Sequence, residues 1–422
     1  MTLKKKQLLV ITSYPARGIT HGDTTVGIAS YAKNTLLSLS SQFKNTKITV
    51  LCEKLEKIDD SYTEKGIVVK RIWQRNSIAT LPKIFIEIVK NHREADSILI
   101  EFEHSMFGSF LYLFPFPLFL VGIKLLRKKI IIVSHQVIPN MQEIGPHINI
   151  KENSELASFM NLMLGVFYRI MLSTCSKMIV FEEKLKTRLS KYGDTRKIVV
   201  IPHGVEQFSD TPTKKEAREK LEISQNSFMV LHFGFIGWYK GTDWIIHAIK
   251  ELKEKYKEGK QIELVIAGGE NPNHIGKPYY TKYVQSVTKA CEENGITLTG
   301  FVPENKISYY FQAADLVILP YRTFMSASGP FSLAMSFKKP FLLSPKVKDA
   351  LDTKDVKELL AQVRLREEDV HFTDFNGDLS KKIVRIKRNT KLRTKIAKLA
   401  REIAKARSWN RIGQLYYAEF IS

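Results

Sequence analysis

Lys240 stands in the stretch HFGFIGWYKGTDWIIHAIKEL, residues 232–252, where the order of residue types can hold a phosphate. A short apolar run ends in a glycine-bearing turn with Gly234, the lysine follows, and an amphipathic pattern begins right after Gly241. The pattern predicts a strand feeding a helix. The positive end of that helix, its exposed N–H groups and one ammonium then face the same point. Farther along, ADLVILPY leads into SASGPFSLAMSFKKPFLLSP, a second strand with a loop, a helix and another strand behind it. Two such units facing one cleft suggest a pocket for a nucleotide diphosphate.

These residues need rigid supports, and the rest of the chain alternates as β/α units. In the first half QLLVITSYP, KITVLCE, IVVKRIW, SILIEFE, IIIVSHQVIP and KMIVFEE read as strands. VGIASYAKNTLLSLSSQF, beginning at Gly27, TLPKIFIEIVKNHREA and a span from about Ser154 to Ser173 read as helices. The second half repeats the rhythm through MVLHFGF, ELVIAGG, a helix from about Tyr280 to Asn294, ITLTGFV, LVILPY and PFLLSP. Strands that are nearly continuous apolar runs belong to parallel sheets buried on both faces. The stretch KKEAREKLEI near 214–223 marks the linker side of a domain boundary.

A chain of 422 residues calls for two domains rather than one core. Its three cysteines, Cys52, Cys175 and Cys291, lie far apart without metal-ligand spacing, which argues against a disulfide framework or cysteine zinc site and for a cytosolic chain. The start, MTLKKKQLLVITSYP, reads as a first buried strand rather than a signal peptide. A net charge of +22 attracts polyanions. No basic stretch interleaves with aromatics, so nucleic acid is not expected. Lys4, Lys5 and Lys6 and the Arg127-Lys128-Lys129 cluster suit an anionic membrane surface; the alternative is a plain solvated lysine surface. The run Met106–Leu126 is long enough to cross a bilayer, but Pro115, Pro117, Gly108 and Gly122 interrupt it. A buried or half-buried helix is the preferred reading, ahead of a monotopic dip or a span.

The pieces VGIASYAKN, EFEHSMFG, VSHQVIP, KIVVIPHGV, FGFIGWYKGTDWIIHAI, ELVIAGG, TGFVPENKISYYFQAADLVILPY, SGPFSLAMSFKKP and SWNRIGQLYYAEF occur in this order along nearly the whole chain. In them the chain resembles the GT-B glycosyltransferases, and within them the retaining family-four (group 1) enzymes that use nucleotide-diphosphate sugars. The resemblance implies an α/β fold of two Rossmann-like domains, with parallel sheets facing an interdomain cleft. It places an acceptor-binding domain at 1–205, a nucleotide-sugar domain at 206–400, and a last helix at 401–422 that crosses back to the first domain.

Residue by residue, Lys240 matches the family's donor-phosphate lysine. The arginine that usually accompanies it falls at Phe235 or Gly237, and Arg322 is the candidate substitute. A ribose glutamate falls at Leu333, leaving Ser328, Gly329 and the amides after them to hold the donor. His135 matches the cleft histidine that orients the donor sugar, and Glu103 a cleft glutamate on the acceptor side. His203 is expected to brace the hinge. Gly27 lets the backbone approach the diphosphate. Gly268 admits the nucleobase, with Phe301 and Val302 as its wall, unless Gly268 and Gly269 are simple strand-end glycines. The resemblance implies no metal and no cofactor beyond the substrate. The expected function is retaining, metal-independent transfer of a sugar to a saccharide or lipid-linked acceptor in cell-surface polysaccharide synthesis, in the cytoplasm or at the inner face of the membrane. The substitutions at Phe235 and Leu333 leave a second class open: a GT-B-like scaffold that binds a partner without turnover.

Overall fold

The computed structural model describes residues 6–20, 28–56, 61–143, 154–272, 274–324, 326–375 and 377–421. Gly27 therefore lies outside the described residues, as do Lys4 and Lys5. Among the described residues the strands form two sheets, one in each half of the chain. The first contains β1 (Lys6–Ile11), β2 (Thr46–Glu53), β3 (Ser61–Glu64), β4 (Ile67–Trp73), β5 (Ser97–Phe102), β6 (Lys129–Ser134), β7 (Lys177–Val180) and β8 (Ile198–Val200). Its order is β3-β4-β2-β1-β5-β6-β7-β8, parallel throughout except between β3 and β4. The second contains β9 (Phe228–Phe233), β10 (Ile262–Ala267), β11 (Thr297–Leu298), β12 (Leu316–Leu319) and β13 (Phe341–Leu343), all parallel, in the order β11-β10-β9-β12-β13.

The apolar runs become central strands for the expected reason. β5 and β6 bury every residue after the first, because helices cover both faces of the sheet. Strand order reverses at β1, which lies between β2 and β5, and again at β9, between β10 and β12. Crossovers leave a reversal in opposite directions, opening a crevice beyond the carboxyl ends of the strands. His135 follows β6, Gly234 follows β9, Gly268 follows β10 and Tyr321 lies two residues beyond β12, so the fold delivers all four to crevice edges.

One segment differs from its sequence reading, and a second bears out the half-buried helix preferred for it. KKEAREKLEI is no open linker: Lys214–Lys220 is a helix closed by a capping box of Thr213 and Glu216. Its buried Arg218 reaches Asp315 at 2.6 Å and the carbonyls of Ala313, Ser224, Gln225 and Ser227. The run 106–126 breaks into a short 3-10 turn and the helix Phe116–Leu125, half-buried and ten residues long, with Pro115 as its N-cap. The helix Trp409–Ile421 lies against Ile28–Gln42 of the first half, joined by Tyr31 and Tyr416 hydroxyls 2.7 Å apart and by Ser38 Oγ donating to the Trp409 carbonyl at 2.8 Å.

Candidate active site

A cleft of about 510 Å³ is lined by residues of both sheets' loops, including Glu103 and His135 from the first half and Lys240 and Ser328 from the second. Lys240 ends the 3-10 turn Trp238–Lys240 that follows β9, and the helix Thr242–Lys255 begins two residues later. Its side chain is 7% exposed. The ammonium lies 5.5 Å from the ring centre of Tyr321 and 5.9 Å from that of Tyr239. No carboxylate pairs with it among the described residues, and burial alone lowers its pKa to about 8. A buried cation without a counter-ion, facing a cleft, is set to receive an anion.

The opposite lip is the start of the helix Gly329–Ser336. Ser328 caps it, its Oγ accepting from the Phe331 amide at 3.2 Å and lying 3.0 Å from the Tyr321 hydroxyl. Pro330 carries no N–H and the Phe331 amide is taken, so of this turn the amides of Ser328 and Gly329 are the ones that can turn to a ligand. Gly234, Lys240 and Pro330 meet at one point. A Cβ on Gly234 would stand 2.5 Å from Lys240 Nζ and 3.3 Å from Pro330 Cγ.

His135 is buried at the end of β6, with Nε2 2.7 Å from Oε2 of the fully buried Glu101. Tyr31 meets the His135 ring edge-on at 4.8 Å and the His203 ring at the same distance. Glu101 thus fixes one ring nitrogen and leaves the other to the cleft side. Glu103, two residues on, is half-buried; its Oε1 accepts from Ser105 Oγ at 2.9 Å and Gln136 Nε2 at 3.2 Å. Burial raises its pKa, opposed by the Ser105 hydrogen bond and by the charges of His135 and Arg75. His203 bridges the halves: Nδ1 lies 2.9 Å from Ser332 Oγ of the late helix.

Arg322 does not take the role foreseen for it. Its guanidinium pairs with both oxygens of Asp243, at 2.7 and 2.5 Å, donates to the Trp238 carbonyl, and packs 4.0 Å from the Trp244 ring centre. It holds the turn after β9 to the helix behind it and does not line the cleft. Phe235, in the usual arginine position, faces Phe301 with ring centres 6.3 Å apart, and together they form an aromatic wall on which Phe301 is 47% exposed. Val302 is buried beneath it. Gly268 and Gly269 line the cleft, but packing already explains them: a Cβ would stand 2.0 Å from the Gly234 oxygen and 2.7 Å from the Phe301 nitrogen, respectively.

The residue-by-residue reading passed over Arg75, Glu206 and Glu304, which also line the cleft. Glu304 opens the helix Glu304–Ala313 three residues past Phe301, and Arg75 follows β4 by two. For Arg75 its place just beyond a strand end was the available signal. The cleft therefore holds carboxylates, though not at the position of Leu333.

Residues 213–402 match the family described as Glycosyl transferases group 1. Over 147 residues the chain is 24% identical to the D-inositol 3-phosphate glycosyltransferase of Xylanimonas cellulosilytica, and the match spans a third of each protein, 33%. Two solved structures resemble it over nearly their full length. Sucrose-phosphate synthase from Thermosynechococcus elongatus is 16% identical with 99% of both chains covered and a TM-score of 0.67. HepE of Anabaena, solved with UDP-glucose, is 18% identical with 98% of this chain and 99% of the other covered and a TM-score of 0.65. At such identities the likeness is one of fold.

Proposed function

We propose that this chain, whose residues 213–402 belong to the glycosyl transferases group 1 and whose two sheets form a GT-B fold, moves a sugar from a nucleotide-diphosphate sugar to a saccharide or lipid-linked acceptor, retaining the anomeric configuration. The observation that carries this reading is the buried Lys240 ammonium on the cleft wall, with no carboxylate partner among the described residues, opposite the Ser328 and Gly329 amides. A glycosyl–phosphate bond breaks by placing negative charge on the leaving diphosphate, and a fixed cation in a dry site stabilises that charge as it forms. The departing phosphate oxygen takes the acceptor's proton, so no separate general base is required. His135, held by Glu101, orients the donor sugar, and Glu103 faces the acceptor side. Phe301 and Val302 offer a wall for the base.

HepE, which shares the fold, was solved with UDP-glucose, so a uridine donor is the first to try. In this reading the enzyme works at the inner face of a membrane, drawn there by its charge of +22, on a growing surface saccharide. The test is a panel of UDP-, GDP- and ADP-sugars followed by thermal shift and by proton NMR. The expected result is stabilisation by one base class and slow hydrolysis of its sugar without acceptor, the first product keeping the donor's anomeric configuration. If calorimetry detects no nucleotide diphosphate at millimolar concentration for any base, the scaffold reading replaces the enzyme.

A further inference from the structure

Of the sixteen large apolar side chains left exposed among the described residues, twelve fall between Ile78 and Val166, on three neighbouring helices and the turns before them. Scattered exposed leucines need no explanation, but a concentration of this kind does. On Phe116–Leu125, Leu118, Val121 and Leu125 recur at helical spacing on the outer face, with Leu118 77% and Leu125 78% exposed, while Phe116, Phe119 and Ile123 face the core. On Glu155–Thr174 the outer residues are Leu156, Phe159, Leu162 and Val166. That helix is long and apolar enough to cross a membrane by composition, yet it buries Leu164, Tyr168 and Met171 in the core. Thr80–Asn91 adds Ile86 and Val89.

The three outer faces adjoin. A Cβ on Gly122 would stand 2.9 Å from the Phe85 ring, Phe116 and Phe167 pack with ring centres 6.1 Å apart, and Lys124 Nζ donates to the Ser173 carbonyl at 2.7 Å. The charge on these segments has one prevailing sign: Lys83, Lys90, Arg93, Lys124, Arg127 and Arg169 are exposed, against exposed Glu94, Asp96 and Glu155.

We infer that this three-helix face seats on an anionic phospholipid surface, its apolar residues entering the boundary between headgroups and acyl chains and its lysines and arginines meeting lipid phosphates. The inner faces are committed to the core, so the helices lie on the membrane rather than span it. The loop from Glu103 leads directly to this face: the Met106 amide donates to the Glu103 carbonyl, and the Asn76 amide to that of Phe107. The acceptor side of the cleft thus opens beside the lipid. The purpose of the face rests on the lipid-linked acceptor reading above, but its test does not.

The full chain is mixed with phosphatidylcholine vesicles, with and without phosphatidylglycerol, and sedimented. Binding is expected to the anionic vesicles and to weaken as salt rises. Combining Leu118→Glu, Leu125→Glu and Phe159→Glu should lower partitioning about tenfold or more, with circular dichroism and acceptor-free hydrolysis of the donor sugar unchanged. Lys83→Glu with Lys90→Glu should lower it about tenfold at low salt only. Equal partitioning to both vesicle types, or no effect of the apolar substitutions, overturns the inference. So does a dimer that the triple variant turns into a monomer, since a second copy would then cover the face. No donor or acceptor enters the vesicle measurement, so it can fail while the transferase reading stands.

Discussion

Lys240 Nζ occupies the space that a side chain on Gly234 would fill, 2.5 Å from where that Cβ would stand. Gly234 also has φ +114, a conformation L side chains rarely adopt. The glycine's lack of a side chain is what lets the ammonium reach the cleft. Lys240→Ala is expected to lower kcat/KM roughly 100-fold with the fold intact, and Gly234→Ala to lose a similar amount although it removes no charge. Steady-state kinetics with circular dichroism checks both; wild-type turnover in either variant contradicts the assignment.

The pH behaviour follows from the buried ammonium. In the free protein Lys240 keeps its proton below about 8 and loses it above, against an ordinary 10.5. Binding of UDP should therefore hold below that pH and weaken above it, by up to about tenfold per pH unit, as calorimetry would read it. Stability without ligand moves the other way. Between pH 8 and 10.5 the unfolded chain retains a proton that the folded chain has released, so folding gains as pH rises through that window. Lys240→Met should abolish that gain in a Tm series and not lower Tm at neutral pH.

Chelation should leave turnover unchanged. The Lys240 ammonium and the Ser328 and Gly329 amides offer positive charge where the diphosphate would lie, the part a divalent ion plays in other sites. Assays in EDTA, with manganese and magnesium added back, check this; loss and recovery of activity would contradict it.

Arg322 should matter to stability rather than to donor binding. It is tied to Asp243 in a bidentate pair; burial raises the Asp243 pKa, but the hydrogen bonds and charge of Arg322 outweigh it and leave the carboxyl below its usual range. Arg322→Met takes both guanidinium bonds from that carboxylate and leaves it the Tyr283 hydroxyl, so the expected cost is about 1 kcal/mol in a denaturant titration, while the Kd for UDP shifts less than about threefold, a difference of roughly 0.6 kcal/mol. A loss of UDP affinity as large as that in Lys240→Ala would return Arg322 to the donor site.

Much of the fold was legible because its signals are local. An apolar run, a glycine turn and a helical period in consecutive residues announce β9, Lys240 and the helix Thr242–Lys255, and every strand end they define is a candidate crevice edge. Legibility failed for KKEAREKLEI, whose composition resembles a linker. What makes it a packed helix is Asp315, 97 residues beyond Arg218.

The sequence by itself determined which residue types stand at the strand ends, because strand, turn and helix are set by neighbours within a few positions. It determined the charge of +22 in the same direct way. Only the tertiary structure decided who those residues face. Asp243 takes Arg322 from 79 residues away, Glu101 takes His135 from 34, and no carboxylate among the described residues takes Lys240. It also decided that the outer residues of three separate helices form one apolar face. A side chain's partner depends on where distant segments come to rest, and burial in a cleft, not residue type, decides whether a charge stays free for a ligand.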